Sequence, residues 1–125
     1  MSRLPVLVAD DDRQMRSLMR TVLIKRGFQV VEAVDGARAL AALESTGGAF
    51  CLLVSDCDMP GLDGIGLAKA VRERFSAFPI LLVSGAITEV DSHLADAFLA
   101  KPFLPSVMTQ TVSRLLAGMS GCNFQ

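Results

Sequence analysis

The sequence predicts an α/β fold, a doubly wound five-stranded parallel sheet with helices on both faces. Three observations predict it. The run Phe50-Cys51-Leu52-Leu53-Val54 is apolar without interruption and leads through Ser55 to Asp56; such a run suits a strand covered on both faces, as strands of parallel sheets are. Strand-like and helix-like stretches alternate five times along the chain, which right-handed crossovers turn into a doubly wound sheet. Four of the strand-like runs end on a polar residue: Asp10/Asp11, Asp56, Ser84 and Lys101. Open parallel sheets bind their ligands at the carboxyl ends of the strands.

Leu4 to Ala9 is the first expected strand, built on Val6-Leu7-Val8, and Asp10-Asp11-Asp12 follows at once. Met15, Leu18, Met19, Val22 and Leu23 then recur at helical spacing, with Gly27 as the C-terminal stop. Arg13, Arg16, Arg20 and Lys25 lie mostly off that stripe. They read either as a solvated face or as a docking face for an acidic or histidine-bearing partner. Phe28 to Ala33 is a more mixed strand, suited to a sheet edge. Asp35-Gly36 turns into a helix over Ala37 to Glu44 with Leu40 and Leu43 inward, and Ser45 to Ala49 reads as a loop.

After the Asp56 strand, Met59-Pro60-Gly61 turns the chain. A helix from about Asp63 to Arg74 places Leu67, Val71 and Phe75 on one side. Ile80 to Val83 is the fourth strand, ending on Ser84-Gly85, and Ala97 to Ala100 the fifth, ending on Lys101-Pro102. A last helix runs from about Pro105 to Ala117 with Val112, Leu115 and Leu116 inward, and Gly118 to Gln125 reads as a loose tail. The whole is expected to be one domain, with its core over about 4–117.

Composition narrows the function. A chain of 125 residues fits one domain with one substantial core. Hydrophobic residues make up 51%, and 12 basic residues balance 13 acidic ones, which speaks against a disordered chain or a general nucleic-acid binder. Apolar runs are too short for a membrane span, and Met1-Ser2-Arg3-Leu4-Pro5 lacks the stretch of a secretory signal. Three cysteines without metal-like spacing fit a reducing compartment, so the expected location is the cytoplasm.

Each strand-end residue has an ordinary reading by itself. Asp12 and its neighbours could cap a helix, Asp56 and Ser84 could serve turns, and Lys101 could be a solvated charge. Together they converge on one edge of one sheet. Carboxylates at close range raise one another's pKa unless a cation sits between them. All-oxygen ligands favour Mg²⁺, which keeps several waters and completes its octahedron on a phosphoryl group. A carboxylate beside Mg²⁺ can act as a nucleophile toward phosphorus, with Lys101 and Ser84 serving the phosphoryl oxygens.

The strings Val-Leu-Val-Ala-Asp-Asp-Asp, Val-Ser-Asp-Cys-Asp-Met-Pro-Gly-Leu-Asp-Gly, Val-Ser-Gly and Leu-Ala-Lys-Pro-Phe, in this order and spacing, resemble the receiver domain of two-component response regulators over about Leu4 to Ala117. The resemblance implies a flavodoxin-type strand order 2-1-3-4-5. It makes Asp56 the phosphoacceptor, with Asp11 and Asp56 as Mg²⁺ ligands (Mn²⁺ as an alternative), the Asp58 backbone carbonyl as a third, and Asp10 acting through water. It makes Ser84 the hydroxyl that moves toward the phosphoryl group, Lys101 its partner, Phe98 the aromatic switch residue, and the Lys101-Pro102 bond cis. Asp58 and Ala86 take positions that tune phosphate lifetime. The implied partners are a sensor histidine kinase or histidine phosphotransfer protein and a downstream protein, with no direct nucleic-acid contact, no membrane, and a monomer or weak dimer. The domain is not an enzyme beyond its own phosphorylation and dephosphorylation. No DNA-binding or enzymatic output domain is expected to follow, so output is expected through protein contact or onward phosphotransfer.

One segment departs from the family. Ala86 to Asp96 leaves room for little more than two helical turns, and Thr88, Asp91 and Ser92 are indifferent helix formers. A short or distorted fourth helix is expected, in the manner of receivers with Ser-Gly after strand four attached to hybrid histidine kinases. Phe98, lacking a hydroxyl, can stay buried and signal through packing. Cys57 reads as an inert thiol, Cys51 as core, Cys122 as tail and His93 as exposed. Two other classes stay in view: a scaffold that is never phosphorylated, and a Mg²⁺-dependent phosphohydrolase with an aspartyl nucleophile.

Overall fold

The computed structural model describes residues 4–85 and 94–117. Most of the expected fourth-helix segment, with Ala86 and His93, lies outside the described residues, as do the tail from Gly118 and Cys122. Five parallel strands, β1 (Val6–Ala9), β2 (Val30–Ala33), β3 (Leu52–Asp56), β4 (Ile80–Ser84) and β5 (Ala97–Ala100), form one sheet in the order 2-1-3-4-5. Helices α1 (Arg13–Lys25), α2 (Gly36–Thr46), α3 (Gly64–Arg74) and α4 (Pro105–Leu116) alternate with them.

Period-two alternation splits the strand side chains between two apolar layers. Leu7, Leu53, Ile80 and Leu82 face α2 and α3, packing on Ala39, Leu43, Leu67 and Val71. Val6, Val8, Leu52, Val54, Leu81, Val83 and Leu99 face the other way, onto Met19 and Leu23 of α1 and Met108, Val112 and Leu116 of α4. β1, β3 and all of β4 but Ser84 are buried along their length, whereas β2 on the edge exposes Val31 and Glu32.

The helix starts follow their capping chemistry. Asp12, Asp35 and Asp63 each accept a backbone N–H of the first turn, from Gln14, Arg38 and Gly66. α4 has no side-chain cap and begins with Pro105, whose missing N–H costs nothing there.

Two local expectations change. Ser45 and Thr46 belong to α2, because both hydroxyls donate back to the Ala42 carbonyl inside the helix; Gly47, left-handed at φ 67°, then stops it. Leu18 is 42% exposed despite its helical spacing. It sits at the margin of the stripe centred on Met19, Val22 and Leu23, and faces the groove between α1 and α4 with Pro105 and Thr109. Among the described residues, no helix is long and apolar enough to cross a membrane.

The turn after β3 depends on the absence of a side chain at Gly64. A Cβ there would run into the Asp56 carbonyl oxygen and lie 2.8 Å from Cys57 Cα, both backbone atoms with little freedom to yield. Gly64→Ala is therefore expected to lower stability by about 1–3 kcal/mol, the usual cost of overpacking. A chemical-denaturation midpoint equal to that of the unmodified chain would contradict this contact.

Candidate functional site

Strand register brings the polar strand ends together. Ala9 lies beside Ser55, Asp56 beside Val83, and Ser84 beside Ala100. Asp10 and Asp56 therefore stand level on the carboxyl rim, with Ser84 one residue and Lys101 two residues further along it. The Lys101 backbone N–H donates to the Ser84 carbonyl at 2.8 Å, extending the β4–β5 pairing to the lysine. The Lys101-Pro102 peptide is cis, as the resemblance implies.

Asp10 is fully buried and Asp56 nearly so, whereas Asp11 is exposed at the mouth. One carboxylate oxygen from each of the three lies within 4.8 Å of the others. Lys101 Nζ stands 3.0 Å from Asp56 Oδ1 and 3.5 Å from Asp10 Oδ2, with only 20% of its side chain exposed. The first is a charge-assisted hydrogen bond; the second is an ion pair too loose to be one. Asp10 Oδ1 accepts the Asp12 N–H at 2.9 Å, while Asp10 Oδ2 is buried without any hydrogen bond.

The electrostatics follow from this geometry. Burial pushes the Asp10 carboxyl above the usual carboxylate range; the Asp12 N–H opposes it, Asp56 adds to it, and Lys101 pulls it back. Burial alone would depress the Lys101 ammonium, but its contacts with Asp56 and Asp10 outweigh that and raise it. Cys57 is held as a neutral thiol, first by burial and then by the Asp56 charge, so it is a poor nucleophile.

An all-oxygen cluster with one orphaned, desolvated carboxylate oxygen matches the donor set of a hard divalent cation such as Mg²⁺. The same features make Asp10 a liability when no cation is bound. Asp10→Asn keeps the acceptor for Asp12 and removes one of three crowded charges. We expect it to raise the metal-free melting temperature by about 3–6 °C, equivalent to about 1 kcal/mol for a domain of this size. Thermal melts with and without Mg²⁺ check it: the gain should come with a smaller Mg²⁺-induced shift, and a lower metal-free melting temperature would refute it.

Other predicted residues are placed less centrally. Asp58 is exposed on the loop after β3. Ser84 is half-buried at the end of β4. Phe98 is 42% exposed, contrary to the expectation that it can stay buried. The alternation that turns Leu99 into the α1/α4 layer turns Phe98 to the opposite face, on the edge strand. Cys51 is core, as expected.

Sequence reasoning undervalued Arg16. Only 13% of its side chain is exposed; Nη1 donates to the Asp10 carbonyl at 2.7 Å and Nε to Glu32 Oε1 at 3.0 Å. Arg20 also reaches Glu32, at 3.5 Å, whereas Arg13 and Lys25 are exposed.

A flavodoxin-like sheet whose carboxyl rim gathers aspartates around an ion-paired lysine is the arrangement that the sequence resemblance implies for a receiver domain. The chain belongs to the response regulator receiver domain family, whose model matches residues 6–113. It is 34% identical over 124 residues to the chemotaxis protein CheY of Pseudomonas aeruginosa, covering 93% of this chain and 98% of that protein. Among solved structures, it is similar to the response regulator TrrA of Thermotoga maritima, solved in complex with Mg²⁺ and BeF (TM-score 0.81, 28% identity, 93% of this chain and 100% of that one). It is also similar to the receiver domain of the hybrid histidine kinase CckA (TM-score 0.77, 35% identity, 90% of this chain and 98% of that one). The chain is a receiver domain of two-component signal transduction, a phosphoacceptor signalling domain.

Proposed function

We propose that Asp56 is the phosphoacceptor and that the acidic cluster holds Mg²⁺ (or Mn²⁺) during transfer. The observation that carries this reading is the convergence of three carboxylates within 4.8 Å, with Lys101 Nζ 3.0 Å from Asp56. Asp11, Asp56 and the main-chain carbonyl of Asp58 would ligate the ion, with Asp10 acting through water. When bound, the ion neutralises the cluster and offsets charge on phosphoryl oxygens.

Asp56 attacks phosphorus of a partner's phosphohistidine. An O–P bond forms, the P–N bond breaks, and its electron pair stays on the imidazole nitrogen, which takes up a proton. Lys101 turns from the carboxylates to pair with the incoming phosphoryl oxygens, and Ser84 donates its hydroxyl to them. The exposed Phe98, two residues before Ala100 (which pairs with Ser84), changes its packing in response. Phosphorylation thereby shifts the population between two conformations and alters binding of a downstream protein. The donor is a sensor histidine kinase or histidine phosphotransfer protein, the location cytoplasmic, and the catalysis limited to the domain's own phosphorylation and dephosphorylation. Similarity to the CckA receiver supports a kinase-linked role.

The test is incubation with acetyl phosphate and Mg²⁺, followed by intact-mass measurement and peptide mapping, then transfer from a phosphorylated histidine protein. One phosphoryl adduct per chain on Asp56, which does not form when Mg²⁺ is chelated before the donor is added, is the expected result. No adduct from either donor would favour the scaffold reading, and phosphate release far beyond one equivalent would favour the hydrolase.

A further inference from the structure

We infer that Arg16 is a positioning residue for the acidic cluster, setting the backbone at Asp10 from the far side. This rests on reading the cluster as a divalent cation site. β1 ends at Ala9, and the Asp10 N–H still pairs with the Ala33 carbonyl at 3.2 Å. The Asp10 carbonyl lies beyond that strand ladder, and Arg16 Nη1 meets it at 2.7 Å. The guanidinium is itself held, since Nε binds Glu32 Oε1 at 3.0 Å on β2, the strand beside β1.

The connection runs from the sheet edge through α1 into the turn that presents Asp10 and Asp11. A planar fork can serve a carbonyl and a carboxylate at once in fixed directions, which a lysine ammonium on a flexible stem cannot do. Outer groups that orient metal ligands usually matter for affinity even though they never touch the ion. Arg16 thus orients the turn, while the partly buried positive charge moderates the repulsion among the aspartates.

The experiment is calorimetric titration of the full chain with MgCl₂, since the absence of Trp and Tyr removes the usual fluorescence signal. Metal-free melting temperatures are measured in parallel. Arg16→Gln is expected to weaken Mg²⁺ binding about tenfold or more, and Arg16→Lys to weaken it as well, because charge without the fork does not replace it. Arg20→Ala, one turn further on and 3.5 Å from the same glutamate, should stay within about twofold of the unmodified protein. A cooperatively melting Arg16→Gln that binds Mg²⁺ within about twofold of the unmodified chain overturns the inference and marks Arg16 as merely structural. If Arg16→Gln does not fold, Arg16→Lys decides on the same criterion. Equal weakening by Arg20→Ala also overturns it, by reducing the effect to general charge. Failure of the unmodified chain to bind Mg²⁺ overturns the reading of the cluster itself, and this inference with it.

Discussion

Asp56→Asn is expected to abolish phosphorylation while leaving the fold intact. The replacement has nearly the same shape, so burial at the end of β3 and pairing with β4 are retained. What disappears is the nucleophilic oxygen, because an amide offers no comparable lone pair to phosphorus. Lys101 loses one ionic partner but keeps Asp10, 3.5 Å away. The checks are circular dichroism for the fold and intact-mass measurement after treatment with acetyl phosphate and Mg²⁺. A phosphoryl adduct of undiminished yield in this variant would move the acceptor elsewhere and sink the assignment.

Lys101→Ala has the second-largest expected effect, and it divides into two. Removing the ammonium leaves a fully buried Asp10 and a nearly buried Asp56 without their shared counter-charge. The cost should fall at or below the roughly 3–5 kcal/mol typical of breaking a fully buried pair, because the lysine is 20% exposed. Mg²⁺ should restore part of that loss. Phosphorylation should persist at a reduced rate, since Asp56 and the acidic cluster remain. The conformational response should fail, because the cation meant to turn from the carboxylates to the phosphoryl group is gone. Nuclear magnetic resonance spectra with and without beryllofluoride and Mg²⁺ read this directly. Shifts around Ser84 and Phe98 as large as in the unmodified chain would contradict the coupling role.

Much of the fold was legible because the two periodicities are clear. The apolar runs ending at Ala9, Asp56, Ser84 and Ala100 each became a parallel strand, and the spacing of Met19, Val22 and Leu23 became the buried face of α1. The edge character of β2 was visible in its mixed composition. Errors fell where a residue type has two local uses. Ser45 and Thr46 read as loop beside Gly47-Gly48, but in α2 their hydroxyls donate to a carbonyl within the helix, which runs on to Thr46. Leu18 shares the helical spacing of the apolar stripe on α1 yet is exposed, because spacing does not say how wide a stripe the neighbouring layer covers.

The site divides in the same way. Which residues stand at the strand ends, and that they are carboxylates, a hydroxyl and a lysine, was determined by the sequence, because parallel strands all deliver their last residue to one rim. Only tertiary structure decided that Asp10 is the sealed member and Asp11 the open one, since burial depends on what packs above the turn. It also decided that Lys101 bridges Asp10 and Asp56, and that Phe98 faces outward from the edge strand. Arg16 belongs to this second group. A run of basic residues on a helix looks like a solvated face, and contact with the Asp10 carbonyl arises only once β1, β2 and α1 are packed together.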